Sequence, residues 1–296
     1  NFKVFRADEG GENIDIWESF KVEKVKEFTE YRMESEQVTF ELLQGKAGST
    51  GMLNIRVDIK KSGYKQDLYI DLEVELGVGF KVNPDGSNYY FEKPTSVPST
   101  SRKKVRHVFS PRGSCDGMIS YHKDGKLVEL SLVQTPVLFI EALQGLKPNS
   151  AARSWNFMCY QSENFSSVCM EFTTTEHYGN VTVTVGCVSH KGDIVSVYSQ
   201  SGKNGSHVKF METDKDEENG WHYPLSISIP LGGGYQFVED HLKLVNKYDI
   251  MNELPNIVKK VVENIVGIKP YIYQYCQRSD LCGEKGISIV ESTFIS

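Results

Sequence analysis

The sequence predicts an all-β protein built from antiparallel strands, closed into barrels or stacked as a sandwich. Apolar and polar residues alternate over short stretches along most of the chain. Turn formers separate those stretches at regular intervals, and only one segment carries a helical period. Alternation puts every second side chain on one face of a strand, and repeated short strands with punctuating turns favour antiparallel architectures.

Taken in order, Phe2-Lys-Val-Phe reads as a strand. Val38 to Leu43, Leu53 to Ile59 and Leu68 to Leu76 follow, each alternating almost perfectly. Turns fall at Lys61-Ser-Gly, Asn83-Pro-Asp-Gly, Lys123-Asp-Gly and Lys191-Gly-Asp, where Gly, Pro, Asn and Asp supply the required backbone angles. Lys93 to Lys104 is predicted as a polar loop. Glu141 to Phe172 opens on a turn marked by Gly145 and Pro148, then gives two aromatic-rich strands carrying Trp155, Phe157, Tyr160, Phe165 and Phe172. Val181 to Val185 and Leu225 to Ile229 are further alternating strands. The acidic stretch Glu212 to Asn219 is expected to form an exposed, mobile loop. Asp249 to Val266 is the α-helix of the C-terminal region, with Ile250, Leu254, Ile257, Val258, Val261 and Ile265 on one face. Asp249 suits its N-cap and Gly267 its C-terminal stop. Its polar face mixes Lys259 and Lys260 with Asn256 and Glu263. It has no Trp or Phe anchor, so it reads as packed against a barrel rather than lying on a membrane.

Composition narrows the class. The chain has 296 residues, 39% of them hydrophobic, enough for two packed domains. The net charge of −6 argues against a nucleic-acid partner, which needs clustered Lys and Arg. No stretch is long and apolar enough to span a bilayer as a helix. The six cysteines include no CxxC pair, so free thiols in a reducing compartment are expected. The histidines are dispersed, with no metal-ligand spacing, and no cofactor motif occurs; Gly232-Gly-Gly lacks the Gly-Lys-Ser/Thr ending of a phosphate loop. The chain begins at Asn1, within strand-like sequence, and reads as an excerpt of a longer protein. Arg106 to Ser120 and Pro270 to Ser288 form a faint repeat, each resembling a hairpin with a Cys-containing turn. That repeat sets a boundary near residue 140, giving domains 1–140, lacking its first strands, and 141–296.

Three long motifs occur in order: RHVFSPRGSCDGMIS from Arg106, ALQGLKPNSAARSWNFMCYQSENFSSVCMEFTT from Ala142, and ELPNIVKKVVENIVGIKPYIYQY from Glu253. Together they resemble the fungal survival-factor family of tandem lipocalin-like proteins, over most of the chain from about Trp17. The family usually has Trp where this chain has Ser110, and a His pair where it has Asn149 and Ser150, so the chain resembles a diverged paralogue. The resemblance implies tandem lipocalin-like barrels and non-enzymatic binding of ceramide or a related sphingolipid. It also implies carriage from endoplasmic reticulum to Golgi, a cytoplasmic location peripheral to those membranes, and a link to sphingolipid homeostasis and oxidative-stress survival. Membrane contact would be transient and made by a segment outside this chain.

A ceramide head group offers hydroxyls and an amide, so its site needs neutral donors and acceptors beside apolar walls. Trp155, Asn156, Gln161, Tyr271, Tyr273 and Gln274 are the right types, and His107 with Arg112 forms a second constellation. Each also has a plain structural reading, as a core residue with a satisfied polar tip or as a bond to backbone carbonyls. An enzyme alternative, a hydratase, isomerase or cyclase acting on a terpenoid or polyketide chain, would use a buried acid among Asp116, Glu141 and Glu171. No nucleophile–base spacing supports it. A third alternative, a ligand-free interaction protein, predicts a lumen filled by the chain's own side chains.

Overall fold

A computed structural model describes residues 2–5, 7, 14–18, 22, 24–43, 51–59, 67–91, 103–203, 207–253 and 270–296. These residues are almost entirely antiparallel β, and they divide into two compact units that interleave along the chain. The first unit comprises Asn1–Gly79 and Ser110–Phe139; the second comprises Phe80–Phe109 and Ile140–Ser296. Residues 80–109, placed with the first half from sequence, therefore pack with the second unit.

The first unit contains β1 (Phe2–Phe5), β2 (Ile14–Glu18), β3 (Glu27–Phe28), β4 (Arg32–Glu34), β5 (Val38–Leu43), β6 (Gly51–Ile59) and β7 (Leu68–Leu76). Strands β1 and β2 form a two-stranded ribbon, while β3 to β7 pair in sequence order. Registers Val38↔Val57 and Val57↔Ile70 put one apolar row across three strands, as the alternation requires. Val38, Val57, Ile59, Leu68, Ile70 and Tyr121 make the core with Ile16.

Two long strands contribute to both units, β9 (Lys104–Lys123) and β10 (Lys126–Gln144), preceded by the short β8 (Ser87–Tyr90). The hairpin joining β9 to β10 turns at Asp124 and Gly125, both at positive φ, the usual two-residue arrangement. Arg106 to Ser120, expected to contain a turn, is instead one continuous stretch of β9. Its Gly117 permits close approach rather than reversal: a Cβ there would sit 2.1 Å from the Asp71 carbonyl oxygen of β7.

The second unit continues with a helical turn at Pro148–Ala151, then β11 (Ala152–Gln161), β12 (Phe165–Thr174), β13 (Thr182–His190) and β14 (Asp193–Gly202). After these come β15 (Lys209–Lys215), β16 (His222–Gly232), β17 (Tyr235–Glu239), β18 (Leu244–Asp249), β19 (Tyr271–Leu281) and β20 (Glu284–Phe294). A seven-stranded sheet runs β14-β13-β12-β11-β20-β19-β18, and a three-stranded sheet runs β15-β16-β17. Between them lies a dense core. Met158, Tyr160, Val188, Tyr273, Tyr275 and Val290 from the large sheet meet Ile227, Ile229, Leu231 and Phe237 from the small one. Tyr223 stacks on Tyr273 at 5.0 Å, and Trp221 on Phe294 at 5.2 Å.

The acidic stretch is not a mobile loop. Glu212 to Lys215 lies within β15, and Asp216 to Gly220 makes a tight turn closed by the Gly220 amide donating to the Asp216 carbonyl. Asp216 is buried and accepts from the Tyr273 hydroxyl at 2.7 Å and the Lys247 ammonium at 2.7 Å. Burial alone would raise its pKa, but the Lys247 and Tyr273 bonds outweigh that and hold it at about 2. Most of the expected helix falls in residues 254–269 and most of the polar loop in 92–102, both outside the described residues; ahead of the former, Ile250–Glu253 form a 3₁₀ turn. Among the described residues no helix is long and apolar enough to cross a membrane. All six cysteines are free, and only Cys282 is exposed.

Candidate functional site

Strand β11 decides where a site can form. Its period of two sends Asn156, Met158 and Tyr160 to one face, and Trp155, Phe157, Cys159 and Gln161 to the other. The first face looks into the core between the two sheets. Cross-strand pairing extends it through Cys169 and Glu171 on β12, Val290 and Ser292 on β20, and Tyr273 and Tyr275 on β19. This interior is packed with the chain's own side chains, as the third sequence alternative required of a lumen.

The opposite face of the same sheet carries Trp155 and Phe157, beside Met170 and Phe172 on β12 and Glu291 and Thr293 on β20. Residues from the 80–109 segment cover part of it. Tyr89 meets the Phe172 ring edge-on at 6.3 Å, and His107 lies 6.5 Å from the Trp155 and Phe172 rings. Arg106 holds the adjoining stretch of β10 through an ion pair with Glu141. A cleft of about 260 Å³ remains at this margin. Trp155, Phe157, Met170, Ile250 and Ile295 give it apolar walls. Its polar lining comes from His107, Gln144, Glu291 and Thr293.

His107 is the unusual member. It is 1% exposed, and its Nδ1 is buried with no hydrogen-bond partner among the described residues. An unmatched buried nitrogen is costly to the fold, roughly 1–3 kcal/mol. Burial lowers its pKa to about 4, leaving the ring neutral at neutral pH. Glu291 accepts from the Gln274 amide at 2.6 Å, and Gln274 in turn accepts from Asn246 at 2.8 Å.

The structure brings together only some of the residues singled out from sequence. Trp155 and His107 line the cleft, and Gln274 stands directly behind its Glu291 wall. Asn156 faces the packed interior, donating to Glu171 and accepting from Ser292. Tyr273 is fully buried there, its hydroxyl donating to Asp216 and accepting from Asn219. Tyr271 belongs to the same core, its hydroxyl bonded to Glu218 at 3.2 Å. Gln161 accepts from the Ser166 hydroxyl at 2.8 Å. Arg112 lies further along β9, in the part of that strand assigned to the first unit. Glu291, Thr293, Ile250 and Ile295 were not singled out. Glu291 and Thr293 sit in an alternating strand whose outward positions look like any solvent-facing row, and nothing local marks them.

None of the three acids of the enzyme alternative is among the described residues that line the cleft. Glu141 pairs with Arg106, and Asp116 accepts from the Gln134 backbone at 2.8 Å. Glu171 is 1% exposed, but donors hold it, among them Asn156, the Thr184 hydroxyl, and the backbone amides of His207 and Val208.

An antiparallel all-β chain of this topology is lipocalin-like. Solved structures agree at the level of fold. The structure of CghA with Sch210972 matches with a TM-score of 0.57 at 9% identity, covering 90% of this chain and 70% of that one. An AttH-designated protein of Nitrosomonas europaea matches at 0.51 and 9%, covering 89% and 70%. The chain belongs to the Svf1 family, whose model matches residues 1–296. An SVF1-like protein of Saccharomyces cerevisiae, YLR225C, is 47% identical over 313 residues, covering 100% of this chain and 75% of that protein. The ceramide-binding protein SVF1 of Candida albicans is 33% identical over 312 residues, with the same coverage of each.

Proposed function

We propose that this protein is a non-enzymatic lipid carrier that binds ceramide or a related sphingolipid, with the cleft at His107 and Trp155 as the ligand-contacting site. The observation that carries the reading is His107, whose buried Nδ1 has no hydrogen-bond partner among the described residues, in a cleft with aromatic and aliphatic walls. A hydroxyl or amide N–H of the lipid would donate to it, and the chain next to that head group would lie against Trp155, Phe157 and Met170. Each methylene taken from water there contributes roughly 0.8 kcal/mol. The cleft is smaller than the roughly 300–1,000 Å³ of sites that enclose a whole drug-sized ligand, so it would hold part of a two-chain lipid. The ceramide-binding names carried by relatives in Candida albicans and Yarrowia lipolytica support the ligand class. Carriage between endoplasmic reticulum and Golgi, from a cytoplasmic position at the membrane periphery, is the cellular role that fits such binding.

Native mass spectrometry with lipid extraction, on protein purified from a eukaryotic host, tests this. Co-purified ceramide at defined stoichiometry, reduced by Trp155→Ala, is the expected result. A protein that emerges empty and stays empty after incubation with ceramide removes the carrier reading. Glu291 at the cleft gives one specific observation to a second reading, proton transfer to an alkene held there. Conversion of a polyene or terpenoid into a product, lost in Glu291→Gln, would favour it.

A further inference from the structure

A continuous row of aromatic rings leads from the cleft towards the surface of the second unit. Trp155, on the cleft wall, has its ring centroid 4.9 Å from that of Phe172. Phe172 meets Tyr89 edge-on at 6.3 Å, Tyr89 meets Phe91 at 5.2 Å, and Phe91 meets Tyr178 at 4.6 Å. Phe172 is buried, whereas Tyr89, Phe91 and Tyr178 are half-buried, so the row opens outward. The backbone on both sides of its outer end is fixed. On one side, Asp85 accepts from the Ser87 amide and hydroxyl, the Tyr90 hydroxyl and the Lys104 ammonium, all within 3.0 Å. That staple reinforces the pairing of Ser87, Tyr89 and Tyr90 with Arg106, Val105 and Lys104. On the other side, the 3₁₀ turn Glu176–Tyr178 is closed by the Tyr178 and Gly179 amides, and its last carbonyl accepts from the Thr174 hydroxyl of β12. Between the two frames, the Tyr89 hydroxyl reaches the Tyr178 carbonyl at 3.4 Å, long for a hydrogen bond. The Tyr89 ring can therefore change rotamer without breaking either frame, and such moves are fast beside backbone rearrangement. The cleft takes only part of a two-chain lipid, so the remainder needs an apolar continuation, and this row starts from a cleft wall.

Resting on the reading of the cleft as a lipid site, we infer that the row is the entry route of an acyl chain, with Tyr89 as its gate. The Tyr89 ring swings outward and gives up the Tyr178 carbonyl to water. The chain then takes its place between Phe172 and Phe91, with its far end towards Tyr178. No covalent step is involved.

The test is photolabelling of the full chain with two ceramides, one carrying a diazirine near the head group and one at the far end of the acyl chain, each with unlabelled ceramide as competitor. The far-end probe is expected to mark residues 87–91 or 174–180, and the near-head probe 103–109 or 152–161, with both signals competed away. Competed far-end labelling elsewhere overturns the route and spares the lipid site. No competed labelling by either probe removes the lipid site, and the route with it. Transfer of a pyrene-labelled ceramide from the protein to phosphatidylcholine vesicles reads the gate separately. Tyr89→Ala should speed transfer roughly two- to tenfold, the range that the loss of one aromatic pair sets. Tyr89→Phe, which removes only the bond to Tyr178, should speed it by about twofold. An unchanged rate in Tyr89→Ala overturns the gate. If that variant does not fold, a rate in Tyr89→Phe no faster than wild type overturns it instead.

Discussion

Acidification should destabilise this protein through His107 in a way that can be isolated. At neutral pH the ring is uncharged in both folded and unfolded chains, so its titration contributes nothing. As pH falls through 6.5, the unfolded chain takes up a proton that the folded chain refuses until about pH 4. The unfolded state then binds more protons, so stability falls with pH across that window and this contribution levels off below it. The displacement from 6.5 to about 4 amounts to about 3 kcal/mol at roughly 1.4 kcal/mol per pH unit. With the residue 1% exposed, solvent screening does little to reduce this. The assay is urea unfolding followed by circular dichroism, for wild type and His107→Leu, in steps from neutral pH to about pH 4. Asp216 and Glu284, both held at about 2, lose their contributions as pH falls, but they do so in both proteins and cancel in the difference. Wild type should lose about 3 kcal/mol more than the variant across the window. Parallel curves would refute a neutral, buried His107 and, with it, the acceptor role given to its Nδ1.

Other outcomes follow from single contacts. Tyr275→Phe should be neutral or stabilising by up to about 1 kcal/mol in thermal unfolding, because its hydroxyl is buried without a partner among the described residues. Tyr273→Phe should cost about 1–3 kcal/mol, since it removes a bond to the buried Asp216 carboxylate. Met158→Ala, at a fully buried position between the two sheets, should cost about 2–5 kcal/mol. A thiol reagent at neutral pH should label Cys282 in the native protein. Cys159 and Cys187, with thiols pushed up to about 12 chiefly by burial, should react only on unfolding.

The strands were legible wherever one face is apolar and the other polar, as in β7 and β13, because burial imposes that alternation directly. The stretch Glu212 to Lys215 was not, since an exposed strand carries no apolar signal and its charges look like a loop. The repeat around Cys115 misled for a related reason. Glycine marks both a reversal and a close approach of two strands, and only the paired strand distinguishes them. For the site, the sequence grouped Trp155 with Asn156 by residue type and could not say which strand face was filled. Here both faces of β11 are covered, one by the small sheet and one by the 80–109 segment, so alternation loses its meaning as inside against outside. His107 was found as a residue type, but its missing partner is a property of three dimensions. Glu291 was invisible for want of any local pattern.

The interleaving of the two units reaches into biosynthesis. As the chain leaves the ribosome, residues 80–109 emerge before Ser110–Phe139, which complete the first unit, and well before Ile140–Ser296, with which they pack. The segment bearing His107 must wait without its sheet until most of the chain has been made. A fragment beginning near residue 141 would leave the outer face of β11, with Trp155 and the Phe172 beside it, stripped of the residues that cover it. Such a half should be sticky when expressed alone and should recover its solubility when a peptide spanning 80–109 is supplied in trans.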